Sequence, residues 1–405
     1  SDFGADKRWG HFYSFGVGWN MHNEKFMENV AWIDRIKLRA STGYTGSQGF
    51  SSYAAVPTMD YYQEAYNGQL GSYLLGLANS DLAWQRKYDT NVGIDLTFLN
   101  GSLNGRFDWY ESTTKGTITS VTTPPSTGFA SYTANLGEVE NKGWEAYLNW
   151  RVWQESKSAS YISLYASAAS NTNTLKKVAE SLKAMNDETD AEYDSQAENT
   201  DVPVRYEEGS SMSTIWVVKS LGIDPETGRE VFVKKDGTLT YDWSSSDYID
   251  GGDTRPKVSG NFGLNMEWHG IGLSAGFTWQ LGGQMYNETL LSKVENADIR
   301  YNVDRRVFSG RWSQPGQIAR FKSITDDSYT QPTSRFVEDY NTLTFSSLNL
   351  YYDFRECKFV KNSFLERMKA SFYMNDIATI SSVKTERGTS YPFARTFSFE
   401  LQLTF

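Results

Sequence analysis

The chain has 405 residues, a formal net charge of -10 and a pI near 5.0. Such an acidic balance excludes a nucleic-acid partner, which needs a basic face to displace counterions. Mean hydropathy is -0.54 and no apolar run reaches about 18 residues, so a helical membrane span is excluded, whereas a barrel of alternating strands is not, because its averaged hydropathy never rises.

Aromatics make up 15% of the chain (25 Tyr, 23 Phe, 13 Trp) and helix formers are sparse outside short runs, so one large all-β sheet is favoured over two soluble domains. The single cysteine, Cys357, precludes an intrachain disulfide. Ser1-Asp2-Phe3-Gly4 lacks the basic start and apolar core of a signal peptide. The expectation is either a protein that is not exported or an internal start.

In chain order, residues 9–19 alternate between Trp9 and Trp19, as a membrane-interface girdle requires. A polar connection leads to a strand over 33–45, and a Tyr-rich stretch without clear period fills 46–82. Residues 84–98 alternate cleanly, with Trp84, Tyr88, Val92, Ile94, Leu96 and Phe98 against Lys87, Asp89, Asn91, Asp95 and Thr97. Asn100-Gly101 turns the chain into 103–119. Pro124-Pro125 marks a longer loop, then 136–152 and 159–171 form a hairpin, and an acidic low-complexity segment, 173–201, is expected to be a hydrated loop. Strands near 212–220 and 229–235 flank Asp224-Pro225-Glu226-Thr227-Gly228. Next, 257–268 and 271–282 form a hairpin on His269-Gly270, with Val258, Phe262, Leu264, Met266 and Trp268 sharing a face with Ile271, Leu273, Ala275, Phe277, Trp279 and Leu281. A long polar segment over 283–341 precedes strands near 342–354, 366–378 and 393–405.

The last of these puts Phe393, Phe397, Phe399, Leu401, Leu403 and Phe405 on one face and polar residues on the other, a row that suits lipid better than the edge of a soluble sheet. The pattern predicts about thirteen strands, joined by alternately long and short connections, as in outer-membrane barrels with short periplasmic turns and long outer loops. The C-terminus then falls on the periplasmic side.

Several blocks resemble one family. They are Arg8-Trp9-Gly10, Leu38 to Gly46, Gly93-Ile94-Asp95, Asn135 to Glu145, Gly222 to Gly228, Ser334 to Asp339, Asn375-Asp376, and Tyr391-Pro392 with Arg395-Thr396-Phe397. Spread over the whole chain, they are similar to SusC/RagA-type TonB-linked outer-membrane transporters of Bacteroidota. The resemblance implies that residues 1–405 form the C-terminal part of one transmembrane antiparallel β-barrel, about 13 of about 22 strands. It further implies a plug outside this chain on which the TonB complex acts, an N-terminal barrel part that completes the wall, and a SusD-like surface lipoprotein as lid. The implied cargo is an oligosaccharide or, less often, a peptide. Phe405 would be the residue shown to the outer-membrane insertion machinery.

No catalytic constellation appears: His11, His22 and His269 are scattered, and no HExxH, paired Cys/His spacing, GxSxG elbow or Walker loop is present. No cofactor or resident metal is expected. The acidic run 186–201 lacks EF-hand spacing, so a hydrated loop is preferred over a Ca²⁺ site there, and Asp247, Asp250 and Asp253 are read alike. Ligand binding remains. Tyr53, Tyr61, Tyr62 and Tyr66 in one long loop and Tyr286, Asn287 and Trp312 in another supply aromatic faces and hydrogen-bonding groups that suit sugar rings. Polar residues such as Asn91, Asp95, Arg106, Asp108, Asn261 and Glu267 are expected to line the lumen or hold a plug. Rival readings are a peptide importer, a siderophore or cobalamin receptor, and an outer-membrane adhesin or enzyme.

Overall fold

The computed structural model describes residues 9–47, 57–77, 79, 82–122, 128–129, 131–135, 137–155, 158, 160–384 and 394–405. Its main body is one antiparallel sheet of eleven strands, each beside its predecessor in the wall. These are β1 (Tyr13–Asn20), β2 (Ile33–Ser47), β5 (Gln85–Phe98), β6 (Leu103–Lys115), β9 (Glu138–Glu155), β10 (Ser160–Lys177), β15 (Val258–Trp268), β16 (Ile271–Tyr286), β17 (Val337–Asp353), β18 (Arg367–Ser381) and β19 (Phe397–Thr404). Eight strands lie in the connections: β3 (Thr58–Tyr61), β4 (Ser72–Gly76), β7 (Ile118–Thr122), β8 (Ser131–Asn135), β11 (Thr214–Ile223), β12 (Glu230–Val233), β13 (Leu239–Thr240) and β14 (Tyr248–Asp253). No helix among the described residues is long and apolar enough to cross a membrane.

Register explains why this sheet suits lipid. Phe262 pairs with Phe277, Leu264 with Ala275, Met266 with Leu273 and Trp268 with Ile271, so the two apolar sets read from the sequence share one face. The same face continues through Leu350 and Phe372 to Phe399 on one side. On the other it passes through Leu164, Trp150, Leu103 and Phe98. The period of two, carried from strand to strand with bulges that keep the faces aligned, produces one apolar belt across the eleven strands. Phe277 is its clearest joint: its ring stacks between Phe262 at 5.0 Å and Phe345 at 4.6 Å, pairs worth about 0.2–1 kcal/mol each. Aromatics cluster toward the ends of the belt, Trp32 on Phe98 at the short-turn end and Tyr44 on Tyr88 at the other.

Short turns at one end are tight. Leu99, Asn100 and Gly101 have φ of 57, 54 and 77, and His269 and Gly270 have 46 and 86, the left-handed conformations that two-residue hairpins demand. Long connections all leave from the opposite end. Phe405 sits at the short-turn end, since Arg367 pairs with Thr404, and its ring stacks on Phe364 at 5.6 Å.

Two expectations need correction. The strands near 212–220 and 229–235 are not wall strands; with β13 and β14 they make a separate four-stranded sheet inside a single connection from β10 to β15. Its physical cause is visible at Ile215, Trp216, Val217 and Val218, all buried in succession: a run buried on both faces belongs in a small core, not in a wall that shows one face to lipid. Among the described residues the wall therefore has eleven strands rather than about thirteen. The second correction concerns the acidic stretch expected as a hydrated loop: β10 extends to Lys177 and residues Glu180–Ser195 form α1. Leu182 and Met185, three apart, pack on Val139, Leu175 and Val178, and that contact rather than propensity holds the helix. Tyr391, Pro392 and Phe393, part of the predicted last strand, lie outside the described residues.

Candidate functional site

Turning to the side of the wall opposite the belt, alternation fills it with polar groups. Arg39 on β2 donates through Nε to Asp95 Oδ2 at 2.9 Å and through Nη2 to Asp108 Oδ1 at 3.0 Å. Arg106 Nε reaches the other oxygen of Asp108 at 2.5 Å. Asp108 is buried at 4% exposure, so its charge has to be matched, and two guanidinium groups do this. Gly93 makes the row possible, since a Cβ there would lie 2.3 Å from Asp108 Oδ1 and 2.7 Å from Arg39 Nη2. Gly93→Val is therefore expected to part Arg39 from Asp108 and to lower the thermal midpoint of the folded barrel, by about 1–3 kcal/mol in stability. A variant as stable as the parent would show that the row carries no weight.

Beyond Asp108, this face becomes a recess of about 510 Å³ bordered by Arg106, Asp108, Glu145, Tyr147 and Asn261. A second recess of about 360 Å³ continues it past Asn149, Arg151, Tyr161 and Asn265. Tyrosines cover gaps in the sheet, for Tyr165 lies against Gly263 and Tyr351 against Gly272. Tyr351 also donates to Glu267 Oε2 at 3.0 Å. Asn91, Asp95, Arg106, Asp108, Asn261 and Glu267 thus lie on one polar face, as their alternation predicts.

At the long-connection end, residues between β10 and β15 and those between β16 and β17 fold together as a cap. Its lock is Arg335, whose Nε and Nη2 donate to Glu230 at 2.9 and 2.6 Å while Nη2 also reaches Glu295 Oε1 at 2.8 Å. Thr333 Oγ1 donates to Glu230 Oε1 at 2.7 Å. Burial alone would lower the pKa of Arg335; Glu230 and Glu295 outweigh it and hold the guanidinium charged. Val218 N and Trp243 Nε1 both donate to Pro332 O, at 3.1 and 3.0 Å. These residues were not singled out from the sequence, although Arg335 stands in the Ser334–Asp339 block and Glu230 two residues after Gly228.

The predicted binding residues separate. Tyr61, Tyr62 and Tyr66 sit on the β3–β4 hairpin, exposed, with Tyr62 packed on Tyr73 at 5.0 Å. Tyr53 lies outside the described residues. Trp312 lies over Gly228 and donates from Nε1 to Pro225 O at 2.7 Å, clamping the Asp224–Gly228 turn onto the other half of the cap. Asn287 donates to Glu338 Oε2 at 2.9 Å and accepts from Leu290 N at 3.0 Å. Tyr286 packs on Phe336 and borders an open pocket of about 540 Å³ with Asp201, Gln284 and Tyr340. No cluster of His, Cys, Asp and Glu suited to a metal ion occurs among the described residues.

A family model described as "TonB dependent receptor-like, beta-barrel" matches residues 1–377. The chain belongs to that family. Such barrels lie in the outer membrane, which accounts for the apolar belt. Among similar proteins, "TonB-dependent receptor P39" of Formosa agariphila is 26% identical over 438 aligned positions, covering 93% of this chain and 39% of that protein. "TonB-dependent receptor SusC" of Bacteroides thetaiotaomicron is 35% identical over 156 positions, covering 37% and 16%. In fold, the chain is similar to the solved structure titled "Structure of the RagAB peptide transporter", with TM-score 0.78 at 21% identity, covering 95% of this chain and 41% of that one. The chain thus spans about two fifths of the length of P39 and of that transporter chain.

Proposed function

We propose that this chain is the C-terminal barrel portion of a TonB-linked, SusC-like importer that carries oligosaccharides across the outer membrane. The observation that carries the reading is the pairing of one unbroken apolar belt with one polar, recessed inner face on the same eleven strands. Lipid takes the first and a hydrated passage or plug takes the second. The remaining barrel strands would pair with the open edges of β1 and β19, and a plug engaged by the TonB complex would meet the row at Arg39 and Asp108. In this reading the short turns and Phe405 face the periplasm, where Phe405 is presented for insertion, and the cap faces outward.

A SusD-like lipoprotein would seat on the cap. It would meet the apolar side chains that cap residues carry into solvent, Ile318 at 90%, Tyr301 at 75% and Phe308 at 69%. Charge matching along Arg39, Asp95, Arg106 and Asp108, with the hydroxyl and amide groups of Tyr147, Asn149, Tyr161, Asn261 and Asn265 in the recesses, suits a neutral sugar chain. Peptide cargo is the second reading, favoured by the fold shared with the RagAB peptide transporter. A strain deleted for the full-length gene should lose growth on at least one purified glycan and keep growth on peptides. Unchanged growth on every glycan, with loss on peptides, overturns the sugar reading.

A further inference from the structure

The cap holds a divided cleft. One compartment of about 470 Å³ is bordered by Glu295, Asp298, Arg300, Asp327 and Tyr329. Its neighbour, of about 150 Å³, is bordered by Arg229, Tyr241, Trp243, Gln331 and again Tyr329. Asp326, Ser328 and Tyr329 form the wall common to both. None of these residues belongs to the polar inner face, and the loop tyrosines expected to bind ligand lie elsewhere.

We propose that this cleft is a binding site for a neutral oligosaccharide, laid across Tyr329 with a ring in the smaller compartment and further units in the larger. The proposal rests on the sugar-importer reading above and adds to it a site on the cap, apart from the lumen.

The first argument is that the aromatic surfaces stand ready. Trp243 is anchored by its bond to Pro332 O, and Tyr241 donates to Asp224 Oδ2 at 2.6 Å while Arg229 covers its ring at 4.7 Å. Tyr329 is half exposed between them and the larger compartment. Rings held before the ligand arrives lose little freedom on binding.

The second argument is charge. Asp298 takes three hydrogen bonds from the Arg300 side chain, at 2.7, 2.9 and 3.1 Å, and these hold its pKa down at about 2. Asp326 accepts from Ser328 Oγ at 2.5 Å and faces Lys322 Nζ at 3.6 Å. Glu295 is matched by Arg335, and Arg311 donates to the carbonyls of Val307, Lys322 and Glu295. Among the charged lining residues, Arg311, whose guanidinium is spent on those carbonyls, and Asp327, which is exposed, have no ion pair among the described residues. Most charges of the lining are thus already engaged, whereas a polyol finds fixed acceptors and donors and flat apolar faces.

The test uses the full-length transporter in detergent. Binding is measured to maltohexaose, cellohexaose, laminarihexaose and mannohexaose, and to hexaalanine and an alternating Lys/Glu hexapeptide. At least one hexasaccharide should bind, Tyr329→Ala should weaken it about tenfold or more, and Tyr329→Trp should restore it to within about threefold of the parent. Heat-modifiable migration confirms that each variant is folded. If the parent binds a hexasaccharide and Tyr329→Ala binds it equally, the cleft assignment is overturned while the importer reading stands. Binding of peptides alone overturns both, and binding of none of the probes overturns the cleft assignment, leaving growth on glycans to judge the importer.

Discussion

Arg335→Ala is expected to open the cap while leaving the wall assembled. The guanidinium answers two carboxylates, Glu230 at 7% and Glu295 at 0% side-chain exposure, that come from different connections. Removing one partner from a buried ionic triad leaves uncompensated charge, at a cost of about 3–5 kcal/mol. Amides over 214–253 and 287–336 should therefore exchange about a hundredfold to a few thousandfold faster by mass spectrometry, while those of β15 to β18 keep their protection. Unchanged exchange in the cap would mean that the apolar cluster of Leu290, Leu291, Val294, Phe321 and Phe336 holds it alone. A triple variant, Arg335→Met with Glu230→Leu and Glu295→Leu, separates lost charge matching from lost volume. It should regain much of the protection, because an apolar replacement of a whole buried triad leaves no charge unanswered.

How far the sequence spoke for this architecture depends on what each signal measures. Wall strands are legible because lipid imposes alternation on every one of them, and register then repeats it; Phe262 and Phe277 fall in facing apolar sets by sequence and pair in the sheet. Turns are legible where left-handed residues are needed, as at Asn100-Gly101 and His269-Gly270. The cap is less legible because its order comes from pairings distant in sequence. Glu230 and Arg335 are 105 residues apart, and each by itself is an ordinary charged residue. Ile215 to Val218 shows the converse failure: an apolar run says that a strand is buried, not in which sheet. Trp312 and Asn287 suit a ligand by residue type, and only the fold shows that the Trp312 indole also meets Pro225 and Gly228 and the Asn287 amide Glu338. Conversely, Tyr329 drew no notice in a polar stretch, because only the fold brings Tyr241 and Trp243 beside it.

That contrast between the wall's two faces yields the sharpest test of the belt. Phe277 and Thr278 are neighbours on β16, yet the first stacks in the row from Phe262 to Phe345 and the second pairs with Asn261 on the polar side. Arginine in place of Phe277 would have to bring a charge into lipid near the middle of a strand, at a cost of about 2–4 kcal/mol, and would also lose two ring contacts. Arginine in place of Thr278 enters a hydrated face already bearing Arg39 and Arg106 and should cost less than about 1 kcal/mol. Expressed as the full-length protein, Phe277→Arg should therefore leave little heat-modifiable barrel in the outer-membrane fraction, while Thr278→Arg assembles as the parent does. Equal assembly of both would remove the lipid belt from that face. Reversed outcomes would turn the wall inside out, placing the passage where the phenylalanines stack.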